Sequence, residues 1–142
     1  MKSCTVRISS DRIVYELELK AKVNILSGDS GTGKSSMMKM LEEWKRIKTC
    51  GVSVNVTGDY RKVLYTNTDN FSGHAKYDDD GEYIIFLEPD SEFVNSRELL
   101  KSILESESRF VIITRCTLPK QLEAEPCKLR TVEVLGKEFM GC

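Results

Sequence analysis

The chain of 142 residues has no long apolar run. The longest, Tyr83 to Leu87, falls far short of the roughly 20 residues needed to span a bilayer. No membrane partner is therefore expected. Arg7, Asp11, Arg12, Glu16 and Glu18 crowd the N-terminal segment and leave no apolar stretch of a secretory signal. The expected location is cytoplasmic. Histidine is nearly absent, with His74 alone, and the five cysteines include no C-x-x-C pair. A structural zinc site needs several such ligands at short spacing, so none is expected. The net charge is only −1, which gives no overall bias toward nucleic acid, and no nucleic-acid partner is evident. Repeats and low-complexity linkers are missing too. A hydrophobic share of 40% and a charged share of 30% remain, the balance of one globular domain over residues 1–142.

Periodicity supplies the elements. Cys4, Val6 and Ile8 alternate, as do Ile13, Tyr15, Leu17 and Leu19, around the polar turn Ser9 to Arg12. That pattern predicts an antiparallel β-hairpin over residues 1–20. Val23 to Ser27 predicts a third strand. Met37, Met40, Leu41 and Trp44 then recur at helical spacing, and Lys45, Arg46 and Lys48 sit near the helix's C-terminal end. Val52 to Val56 and Lys62 to Thr66 predict strands. Asn67 to Glu82 is a polar loop longer than the usual connection of about 4–6 residues. Tyr83 to Leu87 and Phe110 to Ile113 are continuous apolar runs, as doubly buried parallel strands should be. Between them Asn95 caps a helix whose stripe is Leu99, Leu100, Ile103 and Leu104. Leu118-Pro119 breaks the chain, Leu129 to Leu135 predicts a last strand, and residues 136–142 form a tail. Strands alternating with helices predict an α/β fold: a mainly parallel sheet flanked by helices, with the N-terminal hairpin extending or capping it.

One stretch carries specific chemistry. Gly28-Asp29-Ser30-Gly31-Thr32-Gly33-Lys34-Ser35 matches the pattern G-x-x-x-x-G-K-[ST] at every fixed position, with Ser36 following. Glycines let the backbone curl so that successive N–H groups face anionic oxygens. The helix that follows adds the partial positive charge of its N-terminus. Lys34 supplies a full charge for the β- and γ-phosphates, and the small, hard Ser35 hydroxyl suits Mg²⁺. With glycine near 7% of residues, a chance match in a chain of this length is roughly one in two hundred. The expected ligand is a nucleoside triphosphate, ATP with Mg²⁺, with GTP left open.

On these residues the chain resembles the P-loop NTPases. Within them it is similar to the division with an extra strand between the Walker A and Walker B strands, which includes the ABC, SMC-like and AAA ATPases. The resemblance implies a P-loop NTPase fold and an acid at the end of a buried strand. Glu88, closing Tyr83 to Leu87, is the candidate, with Pro89 and Asp90 after it. Glu88 holds the metal in one register, with Asp90 as the alternative ligand. In the other register it is the catalytic acid. The resemblance also implies a polar residue at the end of Phe110 to Ile113, which Thr114 matches, and Arg115 stands beside it as a phosphate-contacting candidate. No Leu-Ser-Gly-Gly-Gln signature and no Asn-Lys-x-Asp motif occurs. The implied function is a Mg-dependent ATPase (a hydrolase) or an ATP-driven switch. The alternatives are a binding or sensing module without efficient hydrolysis, and a small kinase. A homo-oligomer or a protein partner fits a chain too short to carry its own lid.

Overall fold

The computed structural model describes residues 4–26, 34–47, 51–57, 62–67, 83–88, 97–114 and 118–134. In chain order the elements are β1 (Cys4–Ser9), β2 (Ile13–Leu19), β3 (Val23–Leu26), α1 (Lys34–Arg46), β4 (Ser53–Val56), β5 (Lys62–Asn67), β6 (Tyr83–Glu88), α2 (Arg97–Glu105), β7 (Arg109–Ile113), a 3-10 turn (Lys120–Leu122), β8 (Glu125–Cys127) and β9 (Leu129–Val134). None of the helices among these residues is long and apolar enough to cross a membrane.

The strands form two sheets. The antiparallel one has the order β4-β1-β2-β9, and the other has the order β5-β6-β7-β3-β8. Every strand pair in the second sheet is parallel. The hairpin forms as its alternation predicts, with Cys4 opposite Leu19 and Ser9 opposite Val14. Its turn is fixed by Ser10, whose hydroxyl accepts from the backbone N–H groups of Arg12 and Ile13, both at 3.2 Å. Such local side-chain bonds are why serine favours turns.

The expected P-loop NTPase fold, a mainly parallel sheet flanked by helices, is not what forms. The hairpin does not extend the parallel sheet; it is the centre of a second sheet. Only two α-helices accompany nine strands among the described residues. The physical reason lies in the patterns of β4 and β9. In β4, Ser53 and Asn55 are exposed while Val54 and Val56 pack on the core. This one-sided alternation belongs to an antiparallel sheet with one wet face, so β4 pairs with β1 and β9 with β2. β8 adds a strand that sequence periodicity did not predict. Leu104, expected in the buried stripe of its helix, is 44% exposed.

Two cores result. One face of the parallel sheet, with Leu26, Ile84, Phe86, Val111 and Ile113, shares a cluster with α1 and the antiparallel sheet. The other face, with Val23, Ile85, Leu87, Phe110 and Ile112, packs on Leu100 and Ile103 of α2 and on Leu118 and Leu122. A buried Arg109 ties the sheets together. Its Nη1 donates to the Leu19 carbonyl at 2.7 Å and to Cys4 Sγ at 3.3 Å.

The wet face of the antiparallel sheet carries an ion ladder. Arg7 of β1, Glu16 of β2 and Arg130 of β9 stand directly opposite one another. Glu16 accepts from both arginines, at 2.7 and 2.6 Å. Hydrogen bonds from Arg7 and then Arg130 hold its carboxyl below its ordinary value of 4.5. A depressed folded-state value means a contribution that is complete above that ordinary value and lost as pH falls through the folded one. Both arginines are largely exposed, so screening keeps the contribution small. Glu16→Gln should lower stability by roughly 0.5–1 kcal/mol at pH 7 and low salt. The gap should close in urea titrations run below the carboxylate range or in strong salt. Equal midpoints at pH 7 would show that the ladder contributes nothing.

Candidate functional site

The strand ends of the parallel sheet position the site. β3 is an interior strand, and Leu26 at its C-terminal end lies level with Ile113 of β7 and Cys127 of β8. One strand further, Leu87 of β6 pairs with Ile112. Leu26, Thr114 and Glu88 therefore stand at one edge of the sheet, with β7 between β3 and β6. At about 4.8 Å per strand, β3 and β6 are roughly 10 Å apart. Ligands of open parallel sheets bind at the carboxyl ends of the strands.

The connection from β3 to α1 holds the glycine-rich pattern. Gly28, Asp29, Ser30, Gly31, Thr32 and Gly33 lie outside the described residues, as do Asp90, Arg115 and His74. The two ends of the connection are described. α1 begins at Lys34, which is half-buried, and Ser35 and Ser36 are exposed in the same turn. That turn contains no acidic residue, although a carboxylate there would suit the helix dipole. A lysine in its place is electrostatically unfavourable until an anion sits beside it.

Glu88 does not stand alone at the end of β6. Tyr65 of the neighbouring β5 donates its hydroxyl hydrogen bond to Glu88 Oε1. The register explains the meeting. Asn67 is opposite Glu88, so Tyr65 lies two residues back on the same face. Burial, then this hydrogen bond, then the charges of Glu88 and Glu42 raise the Tyr65 phenol far above its ordinary value. The phenol is thus a fixed donor and never a base at practical pH. Glu88 also borders a cleft of about 420 Å³ with Glu42, Lys45, Arg46, Tyr65 and Thr66. Glu42 follows Ser35 by seven residues, about 10 Å along the helix axis. The structure thus groups Glu88 with Tyr65 and the second half of α1. Thr114 follows β7 and is half-buried.

A second cleft, about 600 Å³, lies on the other side of α1 between the hairpin turn and the start of β4. Ser10, Asp11, Arg12, Ile13, Ser36, Met40, Glu43, Gly51 and Val52 line it. Gly51 has φ of 91°, a left-handed conformation that glycine takes without strain. Cys4 and Cys127 are buried free thiols. Burial pushes Cys127 up to about 12, so it is inert toward metals and oxidants at neutral pH. Among the described residues, no group of three or more His, Cys, Asp or Glu is placed to hold a metal ion.

Sequence reasoning missed Tyr65, Glu42, Lys45 and Arg46 as site residues. The available signal was a tyrosine on the face of β5 shared with the end of β6. No protein-family model, curated protein or solved structure matches the chain.

Tyr65→Phe removes the donor and leaves the ring. It should cost roughly 1–3 kcal/mol, as for a hydrogen bond to a charged acceptor. In a Glu88→Gln background the same change should cost much less. Urea unfolding of both single variants and the double variant measures this coupling. Strict additivity would show that the pair does not interact.

Proposed function

We propose that the chain binds ATP with Mg²⁺ and acts as a small ATPase or ATP-driven switch in the cytoplasm. One observation carries this reading. The pattern Gly28-x-x-x-x-Gly33-Lys34-Ser35 bridges the carboxyl end of an interior parallel strand and the first turn of α1. Lys34 in a first turn that contains no acidic residue supports it, because a bound phosphate relieves the conflict with the dipole.

In this reading Lys34 neutralises the β- and γ-phosphates, and the exposed Ser35 hydroxyl faces the metal. Mg²⁺, when bound, supplies charge for the phosphate oxygens. Glu88, whose Oε1 accepts from Tyr65, is the candidate acid beside it; Asp90 is the alternative. The nucleoside lies in the cleft beside Ser36, whose size is that of an ordinary ligand pocket. Arg12 and Ile13 there offer a planar cation and an apolar surface to either purine, ATP or GTP. The bond from Tyr65 favours the second reading, a module that holds ATP without efficient turnover. That hydrogen bond occupies a lone pair of Glu88 that would otherwise be open to a water. Pro89 separates Glu88 from any second acid in the same direction.

Lys34→Ala should abolish the Mg–ATP-dependent rise in melting temperature while leaving the melting temperature without nucleotide nearly unchanged. At ligand near 100 times Kd the wild type should gain about 2.7 kcal/mol. No gain with any nucleoside triphosphate would refute the reading.

Turnover separates the remaining possibilities. The isolated chain should hydrolyse ATP slowly, and specific activity should rise with protein concentration if a second copy completes the site. An arginine supplied in trans contributes roughly 10³–10⁵ in rate in this chemistry, so Arg115→Ala should remove the concentration-dependent part. Fast turnover indifferent to concentration and to Arg115 would show a site complete within one chain. Label from γ-labelled ATP reaching an acceptor other than water would assign a kinase.

A further inference from the structure

The cleft between the second half of α1 and the ends of β5 and β6 has an unusual charge layout. Among the described residues its lining holds two carboxylates, Glu42 and Glu88, and two cations, Lys45 and Arg46, together with Tyr65 and Thr66. Glu42 and Arg46 are spaced i, i+4 on α1, where opposite charges commonly pair. Yet none of the ion pairs among the described residues involves Glu42, Lys45, Arg46 or Glu88. Glu42 and Glu88 both act on the Tyr65 hydroxyl, while Lys45 and Arg46 lie about one turn further along the helix, roughly 5 Å away. The volume, about 420 Å³, is that of a small-molecule site.

We propose that this cleft binds a small zwitterion, an amine-carboxylate of amino-acid type, with its ammonium at Glu42 and Glu88 and its carboxylate at Lys45 and Arg46. The described lining residues sum to zero charge, so a neutral dipolar ligand satisfies all four groups at once. An anion leaves the two carboxylates unmatched, and a simple cation leaves Lys45 and Arg46 unmatched. Tyr65 fixes one oxygen of Glu88 and leaves Oε2 to accept from the ammonium. The site uses nothing of the glycine-rich loop and needs no nucleotide.

The test is amide chemical-shift titration of the full chain without nucleotide. The probes are glycine, β-alanine and γ-aminobutyrate, which step the charge separation, with butyrate and butylammonium as singly charged controls. At least one zwitterion should saturate and shift residues 42–47 and 65–66, with affinity about tenfold above both controls. Glu42→Gln and the pair Lys45→Ala, Arg46→Ala change exposed positions. Each should reduce zwitterion binding to the level of the controls, while the Mg–ATP melting shift persists. That persistence separates failure of this site from failure of the nucleotide reading. Controls that bind as well as the zwitterions, variants that bind unchanged, or no saturation up to about 50 mM would each overturn the proposal.

Discussion

The position of α1 is the constraint on which the rest of the molecule depends. Met37, Met40 and Leu41 are buried in the cluster that also holds Val6, Ile8 and Leu17 of the antiparallel sheet and Leu26, Phe86 and Val111 of the parallel one. Each such side chain contributes roughly 1.5–3 kcal/mol on burial. The helix is therefore fixed against both sheets. Fixing it sets where Lys34 begins relative to the end of β3. It also defines both clefts, because α1 is a wall of each. Arg109 reinforces the same arrangement. A guanidinium is costly to bury, and here it donates from β7 to the Leu19 carbonyl on the facing sheet. Asn24 acts similarly on the near side, bonding Ala21 and the Phe110 carbonyl from within β3.

How much of this was legible follows from what periodicity encodes. Alternation gave the hairpin, and apolar runs gave β6 and β7, because a strand's exposure pattern is written in its own residues. Partition into two sheets is written in the pairing of β4 with β1 and β9 with β2, over separations that no local pattern reports. β8 was illegible for a different reason. Glu125-Pro126-Cys127 has three residues and a proline, and only its edge position beside β3 makes it a strand. Arg109 was missed because a charged residue at a strand's start normally marks solvent.

The site was legible in the same uneven way. A phosphate loop is a contiguous motif whose residue types follow from the ligand, so eight residues suffice to propose it. Glu88 could be picked out as the acid that ends an apolar strand. Its partner could not, because Tyr65 reaches it from another strand 23 residues earlier through the register of a parallel pair. Glu42, Lys45 and Arg46 read from sequence as the solvated face and C-terminal charges of a helix. Only the packing of α1 over β5 turns them toward a cleft.

The two ends of α1 then differ in kind. Lys45 and Arg46 occupy the last turn, where the helix dipole favours positive charge whether or not a ligand is present. Their cleft is electrostatically preformed. Lys34 occupies the first turn, where the dipole opposes it and which contains no acidic residue. In the proposed reading an anion completes a site at that end. Binding there stabilises the first turn of a helix whose remaining length is already fixed between the sheets. In the proposed reading a bound phosphate thus offsets the conflict between Lys34 and the dipole and leaves the packed part of the helix unchanged.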